Sequence, residues 1–138
     1  MAGYSQTPLS HKLGLKPATQ FLLLDAPDNY QPLLEPLPGF LKIVTKLPAT
    51  GSFEVIQAFH TSLEVLNQQL PKYVALLKDD GALWISWYKK SAKKETDIDE
   101  NLLRQLVLRH GIVDVKVIAV TEEWSGLKMV RRLKDRGK

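Results

Sequence analysis

Apolar residues along the chain fall into short runs and helical stripes, which predict alternating strands and helices. Nearly continuous apolar runs such as FLLL and FEVIQAF are typical of strands that are covered by helices on both faces. Leucine and valine at three- and four-residue spacing predict a helix over residues 62–78, with Thr61 or Ser62 as its N-cap. Six strands are predicted, over residues 20–24, 41–45, 53–59, 82–87, 113–121 and 127–133.

Several breaks in this pattern predict turns or distortions. Asp79-Asp80-Gly81 predicts a tight turn before strand four, and the segment EEWSG, residues 122–126, predicts the turn of a closing antiparallel hairpin. Pro71 predicts either a kink in the long helix or two abutting helices. Only about seven residues connect strands two and three, whereas parallel neighbours usually need a dozen or more. Either an extended crossover spans this gap, or strand two lies elsewhere in the sheet.

Strands that alternate with helices imply a single α/β domain over residues 1–138. A further helix is predicted from a capping box that begins at Thr96 or Asp97, and Gly111 is expected to end that helix. The sheet should hold about six strands, mostly parallel, with helices on both faces and an antiparallel C-terminal hairpin. Residues 1–12 are polar and are predicted to form a loosely held arm.

Composition limits the chemistry that the chain can perform. It has no cysteine, which excludes disulfides, thiolate metal sites and a cysteine nucleophile. No two of its three histidines lie at ligand spacing, so we expect no metal site. No apolar run approaches the ~20 residues of a membrane span, and the first residues lack the apolar core of a signal peptide, so we expect a cytoplasmic protein. The net charge of +4 permits an anionic partner.

Three segments resemble the class I S-adenosylmethionine-dependent methyltransferases. LKDDGALWISW is similar to the turn and fifth strand of that class, and GIVDVKVIAVTEEWSGLKMVRR is similar to its closing hairpin. KLGLKPATQFLLLDAP resembles the residues that lead into its first strand. Over nearly its whole length the chain resembles a family of short bacterial proteins of unknown function with such a sheet. The resemblance implies a Rossmann-like, methyltransferase-like fold.

The cofactor motifs of that class are degenerate in this chain. The class follows strand one with a glycine-rich turn, but this sequence has Ala26-Pro27, and proline also removes an amide donor. The class ends strand two with an acid that binds the ribose hydroxyls, but here the stretch ends in Lys46, which cannot accept those hydrogen bonds. We therefore expect no cofactor, and S-adenosylmethionine is disfavoured.

A ligand site is expected where the parallel strands end, because open α/β sheets bind ligands at that edge. The candidate ligand-binding residues there are Asp25, His60, Ser62, Trp87, Tyr88, Lys89, Lys90, Trp124 and Ser125. No catalytic residue is assigned, since no serine has a nucleophile-elbow pattern. Lysines beside indoles favour an anionic or aromatic ligand that stacks on the indole faces. The alternatives are structural: Asp25 as a helix cap, His60 as a hydrogen-bond donor, the lysines as a solvated loop, and Trp124 as a hairpin anchor.

Three functions follow from these observations. The main interpretation is a non-catalytic domain that binds a small anionic ligand or a protein partner, because the cofactor motifs are missing. The first alternative is a small methyltransferase with an atypical pocket, in which Asp25 and His60 contact S-adenosylmethionine. The second is a nucleotide or single-stranded nucleic-acid binder, in which the aromatic and lysine side chains of WYKKSAKK contact bases and phosphates. No membrane partner is expected.

Overall fold

A computed structural model describes residues 7–132, which form a six-stranded sheet with three α-helices. The strands are β1 (Gln20–Leu24), β2 (Lys42–Val44), β3 (Phe53–Phe59), β4 (Leu77–Tyr88), β5 (Ile112–Ala119) and β6 (Trp124–Arg131). The helices are α1 (Leu9–Lys12), α2 (Leu63–Leu76) and α3 (Glu100–Leu108), and 3-10 turns cover Gln31–Leu34 and Lys90–Ala92. The predicted end of the last strand, at Leu133, lies outside the described residues.

The strand order is β2-β1-β3-β4-β6-β5, and both types of pairing occur in the sheet. β1 pairs in parallel with β2 and β3, and β3 pairs in parallel with β4. β6 lies between β4 and β5 and runs antiparallel to both. The prediction of a mostly parallel, Rossmann-like sheet with an antiparallel C-terminal hairpin is therefore confirmed.

Two hydrophobic clusters cover the two faces of the sheet, because side chains of successive strand residues point to opposite faces. On one face, α2 and α3 pack against alternate strand residues that include Ile56 and Ile85. On the other face, α1 and the 3-10 turn at Gln31–Leu34 pack against neighbours that include Val55 and Trp84. β3 and β4 are central and buried on both sides, as their apolar runs predict.

The connection between β2 and β3 is an extended crossover over residues 45–52, which resolves the two alternatives left by the sequence. It runs without a helix, so β2 lies at the edge of the sheet beside β1. A cavity of about 640 Å³ lies between the crossover and the end of α2, where Leu47, Gly51, Lys72 and Leu76 are among its lining residues.

The turn predicted at Asp79-Asp80-Gly81 is wrong, because β4 follows α2 directly and includes these residues. The register passes from Phe53 opposite Leu77 to Val55 opposite Ala82, so residues 78–81 form a bulge. At Gly81 a Cβ atom would lie 2.9 Å from a backbone oxygen of β3, which explains the glycine. The glycine therefore permits a close strand contact instead of a turn.

Of the two alternatives predicted at Pro71, two abutting helices are ruled out, since α2 is one continuous helix with Pro71 inside it. The missing amide of a proline removes one helical hydrogen bond. Tertiary packing offsets this loss, because Leu66, Leu70 and Tyr73 are fully buried against the sheet on one face of the helix.

The capping box expected at Thr96 or Asp97 is wrong as well, because Asp99 is the N-cap of α3. Its Oδ1 atom accepts a hydrogen bond of 2.8 Å from the Leu102 amide. The Thr96 hydroxyl donates to the carbonyl of Thr61 at 3.0 Å, and Asp97 Oδ1 accepts from the first amide of α2 at 2.8 Å. These two side chains therefore tie the segment before α3 to the start of α2. Gly111 is left-handed (φ 78°) after α3, as expected for a glycine that ends a helix.

The closing hairpin has a shorter turn than residues 122–126, because β6 begins at Trp124. Ser125 and Gly126 are paired strand residues, opposite Trp87 and Ser86 of β4. A Cβ atom at Gly126 would lie 2.8 Å from a methyl group of Val120, so glycine leaves room for the Val120 side chain, which follows β5, against β6.

The predicted N-terminal arm is ordered over the part that the structure describes, while residues 1–6 lie outside it. α1 occupies Leu9–Lys12, and both Ser10 within it and Leu13 at its C-terminal end are buried. The indole Nε1 of Trp84 donates a 3.0 Å hydrogen bond to the Leu13 carbonyl. This bond anchors the segment to the centre of the sheet.

Replacement of Lys116 with threonine is expected to raise the free energy of unfolding by about 0.2–1 kcal/mol. Lys116 of β5 lies directly opposite Lys128 of β6, so two like charges face each other. Burial lowers the pKa of Lys128, and Lys116 and Lys16 lower it further. Urea unfolding at low salt measures the effect, with Lys42→Thr on the other edge strand as a matched control. An equal gain in both variants would contradict the explanation.

Candidate functional site

The loops that follow β1, β3 and β4 meet the hairpin turn at the carboxyl edge of the parallel strands. The backbone amide of Lys89 donates a 2.8 Å hydrogen bond to the carbonyl of Glu123, which joins the end of β4 to the turn. The Thr96 and Asp97 contacts described above join the loop after β4 to the start of α2. This edge therefore brings together the segments that the sequence places there.

The turn after β1 obtains left-handed backbone geometry without glycine. Asp25 has φ 57° and Asn29 has φ 67°, while Ala26 and Pro27 do not adopt positive φ. Aspartate and asparagine tolerate this conformation better than other side chains except glycine. Asp25 and Asn29 therefore supply positive φ in a turn that has no glycine.

A buried hydrogen-bond chain fixes the end of this turn. The Tyr30 hydroxyl donates to Gln57 Oε1 at 2.9 Å, and Gln57 Nε2 donates to the Ser86 hydroxyl at 3.2 Å. All three residues are buried, and burial raises the pKa of Tyr30 although its bond to Gln57 opposes the shift. These hydrogen bonds were not predicted, although the single glutamine in the apolar run FEVIQAF is a signal for them, because a buried polar side chain needs partners.

A cleft of about 420 Å³ lies between the turn after β1 and the start of α2, and we call it the β1–β3 cleft. Its lining residues are Asp25, Pro27, Phe59, His60, Thr61, Ser62, Val65, Tyr88 and Trp124. Among these residues, which all belong to the described part of the chain, Asp25 is the only carboxylate. The cleft thus combines one anionic group with hydroxyls and apolar walls.

His60 is the titratable ring of this cleft. Its Nε2 atom and the Tyr73 hydroxyl oxygen are 2.8 Å apart and hydrogen-bonded. Burial lowers the pKa of His60, and the Asp25 carboxylate opposes the shift. Burial, and next the Asp25 charge, raise the pKa of Tyr73. At neutral pH the cleft therefore holds an uncharged imidazole paired with a protonated phenol.

His60 is expected to make the free energy of unfolding fall as the pH drops from about 7 to about 5. Its folded pKa lies below the ordinary value of 6.5, so between these two values the unfolded chain binds more protons and stability rises with pH. Urea unfolding of the wild type and of His60→Gln across this range measures the effect. The variant should show a shallower pH dependence, and an unchanged dependence would contradict the assignment.

Ser62 serves as the N-cap of α2, where its hydroxyl oxygen accepts a 3.3 Å hydrogen bond from the Val65 amide. This confirms Ser62, of the two predicted candidates, as the cap. The hydroxyl hydrogen can still be donated to a ligand in the β1–β3 cleft.

A second cleft, of about 620 Å³, lies between the end of β4 and the start of α3, and we call it the β4–α3 cleft. Its lining residues are Trp87, Tyr88, Lys89, Lys90, Lys94, Thr96, Asp97, Ile98, Asp99, Glu100, Asn101 and Ser125. The nine predicted site residues are therefore divided between two neighbouring clefts, and Tyr88 lines both. Lys94 and the acids before α3 were not predicted as site residues.

The two indoles are largely occupied by packing, which corrects the expectation that they offer free faces for stacking. Trp87 and Trp124 are each only 6% exposed. Trp124 contacts Phe59 edge-to-face at 4.9 Å and stacks on Tyr88 at 3.9 Å between ring centroids. Tyr88 is therefore the half-buried aromatic side chain at the junction of the two clefts.

Within residues 7–132, no group of three or more His, Asp or Glu side chains is arranged to hold a metal ion. The same part of the chain contains no helix of the length and apolarity that a membrane span requires.

Solved methyltransferases share this architecture. A SAM-dependent methyltransferase from Aquifex aeolicus superposes with a TM-score of 0.65 at 16% identity, over 87% of this chain and 86% of that chain. The ribosomal protein L11 methylase of Lactobacillus delbrueckii subsp. bulgaricus gives 0.55 at 14% identity, over 90% and 75%. The 1,6-didemethyltoxoflavin-N1-methyltransferase of Burkholderia thailandensis, solved with bound S-adenosylhomocysteine, gives 0.56 at 16% identity, over 90% and 76%. The chain has a methyltransferase-like fold. Its sequence matches no protein-family model and no curated protein.

These matches correct the main functional interpretation of the sequence. They favour a methyltransferase over a non-catalytic ligand-binding or interaction domain, because the matching structures are those of methyltransferases. The expectation of no cofactor is corrected by the same finding, since one of those enzymes holds S-adenosylhomocysteine. The lack of glycine after β1 does not exclude left-handed backbone geometry there, because Asp25 adopts it.

Proposed function

We propose that the protein is an S-adenosylmethionine-dependent methyltransferase whose cofactor binds in the β1–β3 cleft. The observation that carries the proposal is the position of this cleft at the carboxyl ends of β1 and β3 in a methyltransferase-like sheet. Open α/β sheets bind their ligands at this edge. The turn with left-handed Asp25 takes the place of a glycine-rich turn.

The side chains of the cleft fit the charge and shape of S-adenosylmethionine in most respects. The cofactor carries positive charge on its sulfonium and amino groups, and the Asp25 carboxylate attracts both. Phe59 and Val65 provide apolar surface for the rest of the molecule. The ribose hydroxyls lack an acid after β2, and we assign their hydrogen bonds to Thr61 and Ser62 at the start of α2.

The cofactor, when bound, supplies an electrophilic methyl group on a positively charged sulfur. The chain's own contribution is to orient the reactants and to accept the proton that a nucleophile loses. His60 is suited to that second task because its neutral form is favoured by burial. We assign the tautomer in which Nε2–H donates to the Tyr73 hydroxyl oxygen, because Nδ1 then has the free lone pair that accepts the proton.

Thermal unfolding in the presence of S-adenosylmethionine and S-adenosylhomocysteine tests the proposal. A ligand that binds only the folded state stabilises it by about 2.7 kcal/mol at a hundred times its dissociation constant. We expect the melting temperature to rise with either molecule. It should stay constant with methionine, which lacks the adenosyl group. Constant melting temperatures with both cofactor forms at millimolar concentration would contradict the proposal.

We also propose, from the sequence resemblance, that the chain belongs with the short bacterial proteins of methyltransferase-like fold. Its organisation as one domain over residues 1–138 and its cytoplasmic location stay predictions of the sequence. They are supported by the lack of cysteine and by the continuous pattern of strands and helices, without a linker-like segment.

A further inference from the structure

The β4–α3 cleft contains lysines and carboxylates in equal number, but their surroundings differ. Lys89, Lys90 and Lys94 come from the loop after β4, and three acids come from the segment before α3 and from its first residue. A ligand responds to the charge that remains after internal pairing. The partners of each set therefore decide what the cleft attracts.

The three acids have partners within the protein. Asp97 Oδ1 accepts the Leu63 amide at 2.8 Å. Asp99 Oδ1 accepts the Leu102 amide, also at 2.8 Å. Glu100 forms an ion pair with Arg104, with an N–O distance of 2.8 Å. Asp99 and Glu100 also lie at the positive end of α3, so these carboxylates have favourable partners within the protein.

The ammonium groups of Lys90 and Lys94 have weaker partners within the protein than the three carboxylates have. The nearest ion pair of Lys94 is with Glu123 at 3.8 Å, and both side chains are about half exposed, at 52% and 51%. Exposed pairs of this length contribute little. Lys90 is exposed at the rim of the cleft, and no ion pair or hydrogen bond of its ammonium group occurs within residues 7–132. Two ammonium groups are thus open to an anion.

The β4–α3 cleft adjoins the β1–β3 cleft. Tyr88 lines both clefts. A third depression, of about 460 Å³, shares Thr61 and Ser62 with the β1–β3 cleft and Thr96 and Asp97 with the β4–α3 cleft. A volume of about 620 Å³ lies within the range of small-molecule sites. A molecule in the second cleft would therefore lie beside the contents of the first.

We propose that the β4–α3 cleft binds the methyl acceptor and that this acceptor is a small molecule with a phosphate or carboxylate group held by Lys90 and Lys94. The Ser125 hydroxyl lies in the same cleft as a further hydrogen-bond donor. The inference rests on the proposed methyltransferase function for the role of the ligand, but the anion site itself is testable alone.

Chemical-shift titration with phenyl phosphate, inorganic phosphate and acetate, at low salt, tests the anion site. The shifts should cluster at Tyr88, Lys90 and Ser125, and the response to phosphate or acetate identifies the preferred group. The double variant Lys90→Gln/Lys94→Gln should weaken binding at least about tenfold, since charge-assisted contacts are lost. Lys93→Gln is the matched control, because Lys93 belongs to the same loop but does not line the cleft, and it should bind within about twofold of wild type.

Equal weakening by Lys93→Gln, or shifts spread over all lysines, would overturn the anion site. Salt-dependent binding of a single-stranded oligonucleotide without binding of phenyl phosphate would overturn the small-molecule assignment. S-adenosylhomocysteine affinity measured on the same variants separates the two proposals, because we expect it to be unchanged. If wild-type protein bound the anions but not S-adenosylhomocysteine, both the methyltransferase function and the acceptor role would be refuted. The anion site itself would stand.

Discussion

Replacement of Ile85 with alanine is expected to lower the free energy of unfolding by about 2–5 kcal/mol. Ile85 is fully buried in β4, where it lies opposite Ala58 of β3 and Leu127 of β6. Truncation removes apolar contacts and leaves a cavity, since neighbouring strands on both sides restrict relaxation. Urea unfolding followed by circular dichroism measures the loss.

Val115→Ala is the control for this experiment, because Val115 is 52% exposed on the edge strand β5. Its loss should stay near or below about 0.5 kcal/mol. A loss below about 1 kcal/mol for Ile85→Ala would mean that β4 is not a central strand of the core.

The variant Asp25→Asn is expected to weaken S-adenosylmethionine binding by at least about tenfold, or roughly 1.4 kcal/mol. Among the described lining residues Asp25 is the only carboxylate of the β1–β3 cleft, and the ligand is positively charged. Asparagine tolerates the left-handed backbone at this position, so the change removes charge without forcing the turn to rearrange. Isothermal titration calorimetry measures the affinity.

Asp28→Asn provides the matched control, since Asp28 is an exposed acid of the same turn that does not line the cleft. Its affinity should stay within about twofold of wild type. If both variants weakened binding equally, the loss would reflect the overall charge of the turn, and the direct role of Asp25 would be refuted.

Much of the sheet could be predicted from the sequence because its signals are local and strong. The apolar runs of β1 and β3 predict their bounds correctly, since a strand buried on both faces needs an unbroken apolar sequence. Ser62 is a correctly predicted N-cap for a similar reason, because the capping bond joins residues only three positions apart.

The wrong predictions of the fold concern residues whose local sequence suggests one role while a long-range contact gives them another. Gly81 looks like a turn residue, but its lack of a side chain serves a contact with the backbone of β3. Asp97 looks like the cap of α3, but it accepts an amide of α2 from a residue 34 positions away. Such partners are fixed by tertiary structure, so the pattern around these residues cannot reveal them.

The candidate site was predicted in its location but not in its internal arrangement. Topology alone places Asp25, His60 and Lys90 at one edge, because parallel strands end there. The division into two clefts could not be predicted, since it depends on how the loop after β4 folds against α2. Tyr73 was not predicted as a site residue, because its bond to His60 joins α2 to the end of β3 and depends on tertiary structure.

The chemical shifts caused by S-adenosylhomocysteine test most directly whether the β1–β3 cleft holds the cofactor without a glycine-rich turn. In a titration of isotope-labelled protein, we expect the largest changes at Asp25, His60, Ser62 and Val65, which line the β1–β3 cleft. The cavity between the crossover and the end of α2, which Gly51 lines, serves as the control site, and residues there should show no comparable shifts. Unchanged spectra at millimolar ligand, or changes confined to that cavity, would contradict the account.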